Sequence, residues 1–425
     1  MIALIRIGAA SAALGAGLAW GSCVLPGPVA AAREPDTACA EATLAAAGPQ
    51  PSAQYSDYRA RLHSFATGAG VKVAVIDTGV AAHPQLRVTP GADFVTPDEP
   101  DPLRDCDLHG TVVAGVIAGR ELGVAPDAEI YAIRQTSSHF RQPAPDNSAG
   151  ADGSAEEDHG SGTLASLAAA IEDAVNAGAQ VINVSVVSCV PPDAASRVDR
   201  SGLDAALQRA EDAGAVVVAA SGNATSGGCE QGDVVFPAVA DTVLAVGALA
   251  TPYDLADYSI AAPLSAEGNV PLALEPGGGW ASAKGDTLFQ GTSFAAPLVS
   301  GTLALLVQRY PDESPAQLRQ RVIDSAEPGH GVVDPLTAVT FRPAAETREE
   351  RSFAVTPLTA PAAQGWPMVR LLLGALGFLV LVAVISAHSL RPPRGSRQNL
   401  PAADAESPTA PAPVPPGPAR LAPRR

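Results

Sequence analysis

Apolar positions cluster along the middle of this chain in short, nearly unbroken runs: VKVAVI (71–76), AEIYAI (128–133), QVINVSVV (180–187), AVVVAA (215–220) and TVLAVGA (242–248). Runs this short and this apolar read as strands buried on both faces. Between them the pattern turns helical at about 110–119, 163–178 and 202–213, and the latter two close on Ala177-Gly178 and Ala213-Gly214, a helix stop. Strands alternating with helices predict an α/β fold in three layers, a mostly parallel sheet covered on both sides, with right-handed crossovers. Active sites in such sheets gather at the strand carboxyl ends. One long polar stretch, Gln135 to Gly162, has no hydrophobic period and reads as a mobile surface loop.

Both ends lack this texture. Residues 1–32 carry Arg6, an Ala-rich apolar run to Trp20, and small residues at Ala30 to Ala32, the pattern of a secretory signal peptide. Cys23 does not read as a lipidation site, because Trp20-Gly21-Ser22 lacks an aliphatic residue three places before it. Residues 33–68 form a polar, Ala-rich extension ahead of one large domain over 69–341, followed by a Pro/Ala-rich linker over 342–366. Leu371 to Ala387 is then a 17-residue uncharged run, bracketed by Trp366 and Arg370 before it and by Arg391, Arg394 and Arg397 after it. It predicts a single membrane-spanning helix over 367–389. The excess of Arg on its far side puts the disordered, Pro-rich tail 390–425 in the cytoplasm and the large domain outside.

Composition narrows the function. A formal net charge of −17 excludes a nucleic-acid binder held by its phosphates. Beyond the signal peptide stand four cysteines, Cys39, Cys106, Cys189 and Cys229, an even number suited to two disulfides in an oxidising compartment. Three pairings are open. Cys39 with Cys106 and Cys189 with Cys229 are favoured, because the second pair would tie two loops that each follow a core strand. Asp98, Glu99, Asp101, Asp105 and Asp107 cluster, but Pro100 and Pro102 break any calcium-loop spacing, so they read as a solvated acidic loop. Neither metal nor cofactor is expected.

Four segments place reactive side chains at element boundaries. VAVIDTGV (73–80) ends a buried strand in Asp77, a carboxylate that needs a partner there. DLHGTVVAGVIAG (107–119) starts a small-residue helix with His109, which one neighbour can aim while its other nitrogen faces a nucleophile. GTSFAAPLVSGTLALLVQRY (291–310) opens a long helix with Ser293, where backbone N–H groups and the helix dipole favour an oxyanion. VVVAASGN (216–223) ends a strand in Asn223, whose amide can be a further oxyanion donor. Singly, each has a bland reading as a turn or helix cap.

Together the four segments resemble the subtilisin-like serine proteases, in the chain order Asp, His, Ser of that family. The resemblance implies a subtilisin-like three-layer fold and serine endopeptidase activity on protein substrates, with Asp77, His109 and Ser293 as the triad and Asn223 at the oxyanion. By similarity, Ser185, Val186, Val187 and Ala219, Ala220, Ser221 flank the specificity pocket. Two departures stand out: Val112 replaces a second His, and Val187 stands where many members have Gly. The remaining histidines take structural roles: His83 lies in a segment after the Asp motif, His139 and His159 in the polar insert, His63 and His330 at the domain edges, and His388 at the membrane edge. An esterase is disfavoured, since Ala295 replaces the last glycine of a Gly-x-Ser-x-Gly elbow. The signal peptide, cysteine-bearing extension, polar insert and single span most resemble the mycosins, membrane-anchored proteases of type VII secretion. That resemblance implies processing of secreted proteins and partners in the secretion membrane complex, with a structural role as the alternative. The extension is too short for a full inhibitory propeptide and is expected to stay attached, stapled by Cys39.

Overall fold

Strand β1 (Lys72–Asp77) sits inside the main sheet of the computed structural model, which describes residues 34–140, 162–225, 228–282, 289–343 and 365–389. Its alternate residues serve two cores. Val73 and Val75 pack into one layer and Ala74 and Ile76 into the other, all fully buried. This double coverage is why the strand reads as an unbroken apolar run. The other sheet members are β2 (Val88–Asp93), β3 (Glu129–Arg134), β4 (Val181–Val184), β6 (Val216–Ala220), β8 (Val243–Thr251) and β10 (Leu264–Glu267), with β5 (Ser188–Val190) and β7 (Val234–Phe236) forming a separate antiparallel pair. The order β10-β8-β6-β4-β1-β3-β2 is parallel throughout, and only the short β9 (Asp254–Leu255) pairs antiparallel, on β8. The chain leaves β1 toward β3 on one side and returns to β4 on the other, so the carboxyl ends of β1 and β4 flank a switch point.

Helices α2 (His109–Ala118) and α6 (Thr292–Arg309) cover one face, while α3 (Leu164–Asn176) and α5 (Ser201–Asp212) cover the other; the short α4 (Pro192–Ala195) precedes α5. A hairpin of β11 (Leu272–Leu274) and β12 (Trp280–Ser282) lies against α2, and α7 (Pro315–Ser325) and α8 (Pro335–Thr340) finish the domain. The extension carries α1 (Ala53–His63), capped by Ser52, and packs on this domain. Leu62 is buried, Tyr58 donates to Asp334 Oδ2 at 2.6 Å, and Arg59 donates to the Gly123 carbonyl at 2.7 Å.

The second unit, from Thr347, holds α9 (Gly365–Ser389). Its stretch Met368–Ala387 is 20 residues with a mean hydropathy of 2.6, about 30 Å of helix and long enough to cross a bilayer. The signal peptide expected over 1–32, residues 141–161 of the insert with His159, linker residues 344–364 and the tail 390–425 lie outside the described residues. One expectation needs correction. The insert does not leave the domain at Gln135: up to Phe140 it is irregular but tied down, since Gln135 N–H donates to Asp77 O at 2.8 Å and Ser137 to Asp107 at 2.5 Å, while His139 O accepts Asp36 N–H at 2.9 Å.

Candidate active site

Asp77 is the last residue of β1 and has no exposed surface. A buried carboxylate must be compensated. Oδ1 accepts the Thr78 N–H at 2.8 Å and lies 2.7 Å from His109 Nδ1, while Oδ2 has no hydrogen bond among the described residues. His109 is the first residue of α2 and reaches Asp77 only because the helix start lies hard against the β1 turn. A Cβ on Gly110 would stand 2.0 Å from the Gly79 carbonyl oxygen, so no other residue allows this approach. The residue before His109, Leu108, is held at φ 63, the one non-glycine with positive φ among the described residues. Strain of this kind is tolerated where surrounding structure over-determines it.

Ser293 is the second residue of α6, so its N–H is among the four that the helix leaves unpaired. Pro297 lies four residues on and has no N–H for the Ser293 carbonyl. The Ser185 hydroxyl fills that place at 2.9 Å; it accepts from Asn183 Nδ2 at 2.9 Å, and Asn183 Oδ1 accepts from Ser300 at 2.8 Å. These links bolt the start of α6 to the end of β4. Asn223 follows β6, and its Oδ1 accepts both the Thr292 N–H (2.9 Å) and the Thr292 hydroxyl (3.0 Å). Its NH2 is thereby aimed at one point. A Cβ built on Gly291 would lie 3.0 Å from Asn223 Nδ2 and 3.2 Å from Ser293 Oγ. That point, kept empty by glycine, has the geometry for an oxyanion beside a nucleophile. The His109 ring rests 4.9 Å, centroid to centroid, from Phe294, next to the serine. Among the described residues Ser293 Oγ has no hydrogen bond, and His109 has only the one to Asp77.

Burial pulls the His109 pKa down, but the charge and hydrogen bond of Asp77, with the charges of Asp105 and Asp107, hold it above the ordinary value. The sequence reading put Asp105 and Asp107 in a solvated loop; they are instead built into the site. Asp105, 7% exposed, accepts from Thr78 and Thr111, and Asp107 accepts from Ser137 and Ser138. A visible signal was missed here, since Thr78 and Thr111 are polar residues in otherwise apolar stretches.

Residues 68–359 match the subtilase family. The chain belongs to the subtilase family. As a subtilase it is a serine endopeptidase, and it is most like the mycosins. It is 40% identical to mycosin-1 of Mycobacterium tuberculosis over 306 residues, 64% of this chain and 67% of that relative. The crystal structure of MycP1 from Mycobacterium smegmatis is 33% identical, covers 73% of this chain and 90% of its own, and superposes with a TM-score of 0.63. A chain in the structure of an intact ESX-5 inner membrane complex is 31% identical, covers 84% of this chain and 94% of its own, with a TM-score of 0.64.

The segments flanking the expected specificity pocket in this subtilase divide. Ala219 and Ala220 point into the two core layers of β6, and the Ser221 hydroxyl donates to the Ile260 carbonyl at 2.6 Å. Ser185 is occupied by Ser293, so these four have only backbone to offer a substrate. Val186 and Val187 do line a small cavity of 90 Å³, with Gln135, Leu164 and Leu167. Val112 is buried and borders a larger apolar cavity of 720 Å³ that Asp77, His109 and Ser293 do not line. Cys39 is bonded to Cys106, beside Asp105, and Cys189 to Cys229, which ties β5 to the chain beyond Asn223. His83 accepts Gln85 N–H at its Nδ1 and meets the Gly279 carbonyl at Nε2, each at 3.0 Å, a structural role.

Proposed function

We propose that this subtilase is a membrane-anchored, mycosin-like endopeptidase that processes secreted proteins and supports type VII secretion. Ser293 attacks the scissile carbonyl, and His109 takes its proton and later returns it to the leaving amine. Asp77 orients the imidazole and stabilises the imidazolium. Asn223 Nδ2 and the Ser293 N–H receive the oxyanion. The observation that carries this reading is the point beside Gly291 where Asn223 Nδ2 and Ser293 Oγ converge, with His109 already bonded to Asp77. Residues 69–341 are the peptidase domain, and residues 33–68 stay attached to it through Cys39. The apolar helix anchors it, with the domain on the extracytoplasmic side and the tail in the cytoplasm. A fluorophosphonate, which labels activated serines, is expected to modify Ser293 in the full chain and to leave Ser293→Ala unlabelled. An unlabelled, folded wild-type chain would overturn the triad assignment.

A second reading makes the chain chiefly a structural part of the secretion complex. Its similarity, over 84% of its length, to a chain of the ESX-5 inner membrane complex favours it. Secretion measured in a deletion strain against a Ser293→Ala strain separates the two: catalysis is the essential role if both stop, structure if only the deletion does.

A further inference from the structure

Asp105 stands buried four residues ahead of His109, and its two oxygens keep different company. Oδ2 accepts the Thr111 N–H at 2.8 Å and the Thr111 hydroxyl at 2.6 Å. Oδ1 faces the Thr78 hydroxyl at 2.9 Å. That hydroxyl stands between two carboxylates, because Asp77 Oδ1 is 3.3 Å away on its other side, and it also accepts the Gly110 N–H at 3.1 Å. A hydroxyl has one proton to donate and two lone pairs with which to accept. Thr78 therefore serves one carboxylate at a time.

With Asp105 ionised, the shorter contact holds the Thr78 proton, and Asp77 Oδ1 keeps only the Thr78 N–H and His109. A proton arriving on Asp105 goes to Oδ1, since Oδ2 already has two donors. The new O–H donates to Thr78 Oγ1, which then turns its own proton to Asp77. An added donor stabilises the Asp77 charge, and so weakens its support of the imidazolium.

We propose that Asp105 is a positioning residue for the triad, setting through the Thr78 hydroxyl how strongly Asp77 supports His109. This rests on the assignment of Asp77, His109 and Ser293 made above. The titratable groups around Asp105 are Asp77 from β1, and Asp107 and His109 from the loop and helix that follow it. Burial, opposed by the hydrogen bonds of Thr111, pushes Asp105 up to about 6. The change of partner thus falls where a histidine base also titrates.

The test is the pH dependence of fluorophosphonate labelling of the full chain. Wild type is expected to lose rate on the acid side with a log slope that exceeds one, a full loss as His109 takes its proton and a further roughly threefold to tenfold drop as Asp105 takes its own. Asp105→Asn, whose amide donates to Thr78 as the protonated acid would, is expected to show a slope of one and a plateau roughly threefold to tenfold lower. Thr78→Ser is expected to keep the wild-type profile, and Thr78→Val to lose the second proton. The Thr78 pair decides the matter even where Asp105→Asn folds poorly. A wild-type slope of one, an unchanged profile in Asp105→Asn, or identical profiles for Thr78→Ser and Thr78→Val overturns the proposal and leaves the triad standing. Failure of wild type to label overturns the triad itself.

Discussion

The Ser185 hydroxyl donates to the Ser293 carbonyl at 2.9 Å, in the place of the N–H that Pro297 lacks. Removing it leaves a buried carbonyl and one N–H of Asn183 without partners, which costs about 1–3 kcal/mol. Ser185→Ala is expected to lose that much stability in urea and to label more slowly. Combining it with Pro297→Ala, which supplies the missing N–H, is expected to recover part of the loss. Losses that merely add would show that the hydroxyl does not substitute for the helical bond.

Asp77 has no solvent exposure, and its charge and hydrogen bond raise the His109 pKa. Asp77→Asn keeps the volume and removes the charge, so labelling of Ser293 is expected to fall by about 10⁴-fold. The acid limb that remains is expected to move to lower pH, because the imidazolium has lost its main support. Circular dichroism should show the fold retained. A limb that stays in place would mean that something other than Asp77 supports His109.

Gly291 keeps open the space shared by Asn223 Nδ2 and Ser293 Oγ. A methyl there occupies the position proposed for the oxyanion and leaves the hydrogen bond between His109 and Asp77 in place. Gly291→Ala and Asn223→Ala are each expected to cost about 10²–10³ in kcat on a peptide substrate, with KM changed less. Wild-type turnover in Gly291→Ala would place the oxyanion elsewhere.

The central strands were legible because burial on both faces leaves an apolar run: the five sequence-read runs match β1, β3, β4, β6 and β8, although the run over 180–187 continues three residues past the end of β4. The edge strands β2 and β10 were not. VTPGAD holds a Pro and a Gly that a central strand would exclude, and an edge tolerates them because one side of the ladder is unpaired. Asp77, His109, Ser293 and Asn223 could be read because each ends or begins an apolar element. Asp105, Thr78 and Thr111 gave a weaker signal: the two threonines stand out as polar residues, but their shared role exists only once the β1 turn and the start of α2 come together. Pro297 was visible in the sequence, but the carbonyl it frees meets Ser185 from a distant strand end.

Asp105 also sets a pH dependence of stability. Its folded pKa, about 6, lies above the ordinary 3.8, so the folded state holds the proton more tightly than the unfolded chain. That contribution is fully present below about 3.8 and is lost as pH rises through about 6. Raised as it is, His109 acts in the same direction, its contribution fading as pH climbs past its folded value. Asp105→Asn removes the buried charge while keeping an acceptor for Thr111 and giving Thr78 a donor. Above pH 6 it is expected to be more stable than wild type by up to about 3 kcal/mol, the worth of a shift from 3.8 to about 6. Below pH 4 the two proteins should converge. Thermal melting of both across that range is the measurement, and a gap of constant size at every pH would show that Asp105 is ionised as readily in the fold as outside it.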